Sequence, residues 1–127
     1  MYYINKKLKL NFSDAEKKVR EELQKEGFGI LTDIDIKEKL KEKLDVEFRQ
    51  YKILGACNPP FAYKALLAED KIGTMLPCNV IIQETDDGGV EVAAIDPFAS
   101  MQAVNNDALN DIATEIRDKL ANVISGL

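Results

Sequence analysis

The segment Asp86-Asp-Gly-Gly89 constrains this chain more than any other feature. Successive Asp and Gly residues favour the positive-φ backbone of a tight hairpin turn. On one side lies Val80-Ile-Ile82 and on the other Val90 to Asp96. A strand over 77–85 and a strand over 90–96 must therefore pair antiparallel. Counting outward, Thr85 falls near Val90 and Ile82 near Ala93. Cys78 and Asn79 then lie opposite Asp96 and Pro97, to within one residue.

The rest of the chain supplies partners for that hairpin. Residues 2–10 place Tyr2, Ile4, Leu8 and Leu10 on one parity, with Lys6 the exception, as an amphipathic strand does. Ser13-Asp-Ala-Glu16 has the form of a capping box, and Ala15, Val19 and Leu23 repeat as one helical stripe. Gly27 suits the turn that ends this helix. From Phe28 the period becomes two: Phe28, Ile30, Thr32, Ile34 and Ile36 share a side, which predicts a strand with that face buried. Asp35 caps a short helix over 36–44. Glu47 to Gly55 is extended, with Arg49, Tyr51 and Ile53 on one side. Asn58-Pro59-Pro60 opens a helix over 59–69, with Asn58 as its cap. The last helix runs from Asp107 to Ser125, with Leu109, Ile112, Ile116, Leu120 and Val123 inward.

This order predicts one α+β domain, residues 1–127, with a largely antiparallel sheet and helices packed on one face. The other face carries Tyr51, Ile81 and Ile95, enough apolar surface to expect a homodimer. Hydrophobic residues are 46% and charged residues 31% of the chain, so a packed core needs no staples. No apolar run approaches a membrane span, and the N-terminus lacks the apolar stretch of a signal peptide, so the expected location is the cytoplasm. A disulfide between the two cysteines is not expected there. The net charge of −5 argues against a nucleic-acid partner. The absence of histidine removes the commonest general base and transition-metal ligand.

The two cysteines form an echo: Gly55-Ala-Cys-Asn-Pro59 and Leu76-Pro-Cys-Asn-Val80. If the 59–69 helix returns the chain to the sheet end it left, Cys57, Asn58, Cys78, Asn79 and Asp96 share one edge. There the amides and the carboxylate would bind a small polar or anionic ligand, helped by the helix N-terminus after Asn58. Alternatively, Cys57 and Cys78 with Met101 would hold a soft metal, or the two thiols would act as a redox pair. The plainer reading is structural or interaction-related, with small buried cysteines and amides that close turns. Asp33 and Asp35 are better read as a wet strand edge than as a cation site. Without histidine no hydrolase triad is available, and no catalytic constellation is identifiable.

Four segments carry a wider resemblance: Gly27-Phe-Gly-Ile-Leu-Thr-Asp-Ile-Asp35, Phe48-Arg-Gln-Tyr-Lys-Ile-Leu-Gly-Ala-Cys-Asn-Pro59, Leu76-Pro-Cys-Asn-Val80, and Val90-Glu-Val92 with Asp96-Pro97. Together they resemble the bacterial and archaeal family known as domain of unknown function 302, over nearly the whole chain. The resemblance implies a TATA-binding-protein-like α+β domain of about five strands, β-α-β4-α, with the 36–44 and 59–69 helices as insertions. It implies a dimer and no established activity. The fold class says nothing of DNA, because function belongs to sites rather than folds.

Overall fold

The computed structural model describes residues 1–127. Five antiparallel strands form one sheet: β1 (Tyr3–Leu8), β2 (Gly29–Asp35), β3 (Tyr51–Cys57), β4 (Cys78–Glu84) and β5 (Val90–Ile95), in the order β1-β5-β4-β3-β2. Five helices accompany them: α1 (Phe12–Lys25), α2 (Ile36–Leu44), α3 (Pro59–Ala68), α4 (Pro97–Ser100) and α5 (Ala108–Ser125). The predicted α+β order holds. Three pieces were not anticipated: the single-turn α4 and two 3₁₀ segments, Asp70–Met75 and Met101–Val104.

The hairpin forms as expected, with Gly88 at φ +84° and the Gly89 carbonyl accepting from Thr85 N at 3.0 Å. Its register is one residue tighter than the outward count. Val80 faces Ala94 and Glu84 faces Val90, because Thr85 belongs to the turn and not to the ladder.

α1 begins earlier than the Ser13 box suggested. Asn11 is the cap: its Oδ1 accepts from Asp14 N at 2.8 Å. Asparagine caps as well as serine, and starting there lets Phe12 pack against the core. Glu16 does not reach back to a cap but holds Arg20 and Lys52. At the other end Gly27 sits at φ +86°, Phe28 N donates to Leu23 O, and Gly27 N donates to Gln24 O. This is the left-handed helix stop that Gly27 implied.

β2 departs most from expectation. Ile30 faces Ala56, but Thr32 faces Gly55, so Leu31 is an extra residue. A bulge of one residue flips every later side chain to the opposite face. Asp33 and Asp35 therefore turn towards the helices, while Thr32 and Ile34 turn away, and Ile34 remains 38% exposed on an edge strand. The expected buried stripe Phe28–Ile36 is broken at its middle. β3 also starts later than expected, at Tyr51, after Asp45 ends α2 in the left-handed region.

The core lies between one sheet face and helices α1 and α5. Leu54, Val80, Ile82 and Val92 from the sheet meet Ala15, Val19 and Leu23 of α1 and Leu120 and Val123 of α5. These residues follow the two periods that the sequence displays, two in the strands and about 3.6 in the helices. A smaller cluster of Ala65, Ile72 and Leu109 anchors α3 and the 3₁₀ segment to α5. No helix is long and apolar enough to cross a membrane.

Candidate functional site

The Cys-Asn residues do gather at one end of the sheet, but in three separate environments. Ala56 and Cys78 are register partners on the helix side, where Cys78 is buried. Cys57 is one residue further along β3, and strand alternation turns it away from that side. The two free thiols are therefore not directly opposed register partners. Cys57, Cys78, Asn58 and Met101 nevertheless all line one small apolar cavity, closed by Phe28 and Ile116. Its volume is about 30 Å³.

Asn58 was expected to cap α3, yet its side chain makes no bond to that helix, and only its backbone carbonyl accepts from Ala62 N at 2.9 Å. It is 7% exposed, and its Nδ2 donates to the Glu26 carbonyl at 3.0 Å. The side chain thus pins the end of β3 to the turn between α1 and β2. Gly27 leaves room for it, since a Cβ there would stand 3.2 Å from Asn58 Nδ2. Asn79 is exposed on the opposite face of the sheet from Cys78. Asp96 Oδ1 accepts from Phe98 N and Ala99 N, capping α4, and its Oδ2 pairs with Arg117 Nε at 3.2 Å. The carboxylate is thereby committed to α4 and α5.

The electrostatics of the thiols follow from burial. Desolvation pushes Cys78 up to about 11, with a further push from Cys57 nearby. Burial also raises Cys57. Both are protonated at neutral pH, which is the unreactive form. Iodoacetamide at neutral pH should therefore label Cys57 slowly and leave Cys78 untouched until the protein is unfolded in urea. Rapid labelling of Cys78 in the folded protein, read by mass spectrometry, would contradict this. No group of three or more His, Cys, Asp and Glu side chains is placed to hold a metal. A soft ion would have two thiols and the Met101 thioether to draw on.

Two other features lie outside the Cys-Asn end; the first was not expected from the sequence, and the second was expected only through Tyr51, Ile81 and Ile95. One is an ion network in which Lys52 contacts Glu16 at 3.2 Å and Asp33 at 3.3 Å, and Arg20 contacts the same two carboxylates. It clamps α1 to β2 and β3 and borders a polar cleft of about 640 Å³. Desolvation lowers the Lys52 pKa, but the partners Glu16 and Asp33 outweigh it and leave the pKa raised, so Lys52 stays charged. The Glu16–Arg20 spacing of four was legible in the sequence, but the bulge that brings in Asp33 was not.

The other is the uncovered sheet face. Ile34, Ile53, Ile81 and Ala93 are successive register partners across β2, β3, β4 and β5. They make a continuous apolar row. Beside it runs a polar row in which Asn5 and Gln83 donate to Glu91, and Arg49 donates to Gln83. Tyr3, Ile95 and Tyr51 flank these rows around a shallow concavity of about 380 Å³, which Asn79 also borders. Gly55 belongs to this face. A side chain there would meet Pro77 Cγ at 2.7 Å and the Thr32 hydroxyl.

A family model described as "Domain of unknown function DUF302" matches residues 4–127. Among solved structures, the chain is similar to an uncharacterized conserved DUF302 protein from Bacillus stearothermophilus. The identity is 28%, the TM-score 0.92, and the match covers 99% of this chain and 98% of that one. Among curated proteins no relative matches.

Proposed function

From the premise that the chain belongs to the DUF302 family, we propose that it is a non-covalent interaction module of the cytoplasm, with the uncovered sheet face as its working surface. The observation that carries this is the apolar row Ile34–Ile53–Ile81–Ala93 on a face with no helix against it. The solvated face of an antiparallel sheet normally carries polar residues, so a contiguous apolar row there marks a contact surface. Two unpaired thiols suit a reducing compartment.

A ligand site at the Cys-Asn end has less to support it. A cavity of about 30 Å³ has the volume of a water molecule, and Asn58 and Asp96 are already engaged. The open-face reading makes its own prediction. Hydroxyl-radical footprinting in cells should oxidise Tyr3, Tyr51 and Ile81 several-fold less than in dilute purified protein. Equal oxidation in both settings would mean that the face works bare, and the reading would fall.

A further inference from the structure

We infer that the concavity on the open face binds a small organic cation, with its apolar body across Ile81 and Ala93 and its ammonium group at Glu91. This rests on the open-face reading above. The hollow holds about 380 Å³ and is lined mainly by apolar and aromatic side chains, with few polar ones among them. That is the size and make-up of a small-molecule site rather than of a seat for a folded partner.

Register fixes the layout. Tyr3 lies beside Ile95, Ile81 faces Ala93, and Gln83 lies between Tyr51 and Glu91. The floor is therefore apolar at its centre, with a tyrosine at each end and a carboxylate at only one. From Ile95 to Glu91 the strand runs about 13 Å. A short molecule with its charge at one end fits between the tyrosines.

Charge decides the sign of that end. Glu91 is the only charged residue lining the hollow. Its Oε2 accepts from Asn5 Nδ2 at 2.8 Å, and its Oε1 accepts from Gln83 Nε2 at 2.9 Å. Both donors are neutral amides, so they aim the carboxylate without cancelling its charge. Lys7 is the register partner of Glu91 but forms no ion pair with it. Arg49 stops at Gln83: its Nε donates to Gln83 Oε1 at 2.9 Å, and its guanidinium lies 4.4 Å from the Phe48 ring centroid. Around this end Glu84, Asp86, Asp87 and Glu91 outnumber Lys7 and Arg49. A neutral apolar ligand would cover Glu91 without a counter-charge, and an anion would be repelled. A cation supplies the charge that the chain itself does not.

The test is an amide NMR titration of the full chain with three probes. Phenethylammonium carries an apolar body and a positive charge. Hydrocinnamate carries a similar body with a negative charge, and butylammonium the positive charge with little body. Phenethylammonium should saturate with a Kd of about 1 mM or tighter, the range for so small a ligand, and shift the amides of Ile81, Glu91 and Ala93 most. The other two should bind about tenfold more weakly or worse. Glu91→Gln should abolish the preference for phenethylammonium over hydrocinnamate. Ile81→Lys places a fixed ammonium on the floor and should abolish phenethylammonium binding, with the dispersion of the spectrum retained. Leu67→Lys, on the exposed surface of α3, should change neither. No saturable shift at these residues up to tens of millimolar overturns the inference. So does equal affinity for the ammonium and the carboxylate probe, or a Glu91→Gln variant that keeps the preference. Absent binding together with in-cell protection of Tyr3 and Tyr51 would sink the organic cation while leaving the open-face reading intact. Absent binding without protection would sink both.

Discussion

Asn58→Asp should destabilise the fold by about 3 kcal/mol at neutral pH, the usual cost of a buried charge without a partner. The substitution keeps the shape of the side chain and removes its donor. Nδ2 of Asn58 now gives its hydrogen to the Glu26 carbonyl at 3.0 Å, in a place only 7% exposed. A carboxylate oxygen there would face that carbonyl oxygen, with little water to screen the repulsion. Asn58→Ala should cost less, about 1–2 kcal/mol, because it leaves an unmet carbonyl and no charge. The two variants also differ in pH dependence. Burial raises the pKa of the new carboxyl above its unfolded value of about 3.9, so the folded state holds that proton more tightly. The penalty is complete above the folded pKa and shrinks as pH falls through it. Urea unfolding at neutral and mildly acidic pH should show Asn58→Asp recovering towards Asn58→Ala as the solution is acidified. If the two stay equal at both pH values, Asn58 is not the pin between β3 and the α1–β2 turn.

Leu54→Ala should cost about 3 kcal/mol, within the range for buried leucines, and lower the melting temperature by roughly 10 °C. Leu54 is fully buried on β3 beneath the helices, beside Val80 on the next strand. Removing its side chain opens a cavity that neighbours on a hydrogen-bonded sheet cannot close. Ile34→Ala, by contrast, should cost under about 1 kcal/mol in the isolated chain, because Ile34 is 38% exposed on the edge strand. Simple alternation ranks Ile34 as core, and the bulge at Leu31 reverses that ranking. Thermal unfolding of both variants at low protein concentration would decide it: similar losses would place Ile34 in the core after all.

The candidate site divides along the same line. Strand alternation puts Cys78 and Asn79 on opposite faces, and this was readable from adjacency alone. The engagement of Asn58 with Glu26 was not, because the partners are 32 residues apart and the bond depends on where α1 stops. The pairing of Asp96 with Arg117 likewise needs α5 to cross the end of β5. Its role as the cap of α4 is local, since the bonded Phe98 and Ala99 amides lie two and three residues on.

By itself the sequence determined the element order, the antiparallel hairpin, the α1 and α5 stripes and the glycine stop at Gly27. Each rests on side-chain periodicity or on backbone freedom within a few residues, and such terms act before any distant contact exists. Only the tertiary structure decided the bulge at Leu31, the partner of Asn58, the Lys52 ion network and the alignment of Ile34, Ile53, Ile81 and Ala93 across four strands. Those depend on which strand lies beside which, and a shift of one residue in register reverses every face.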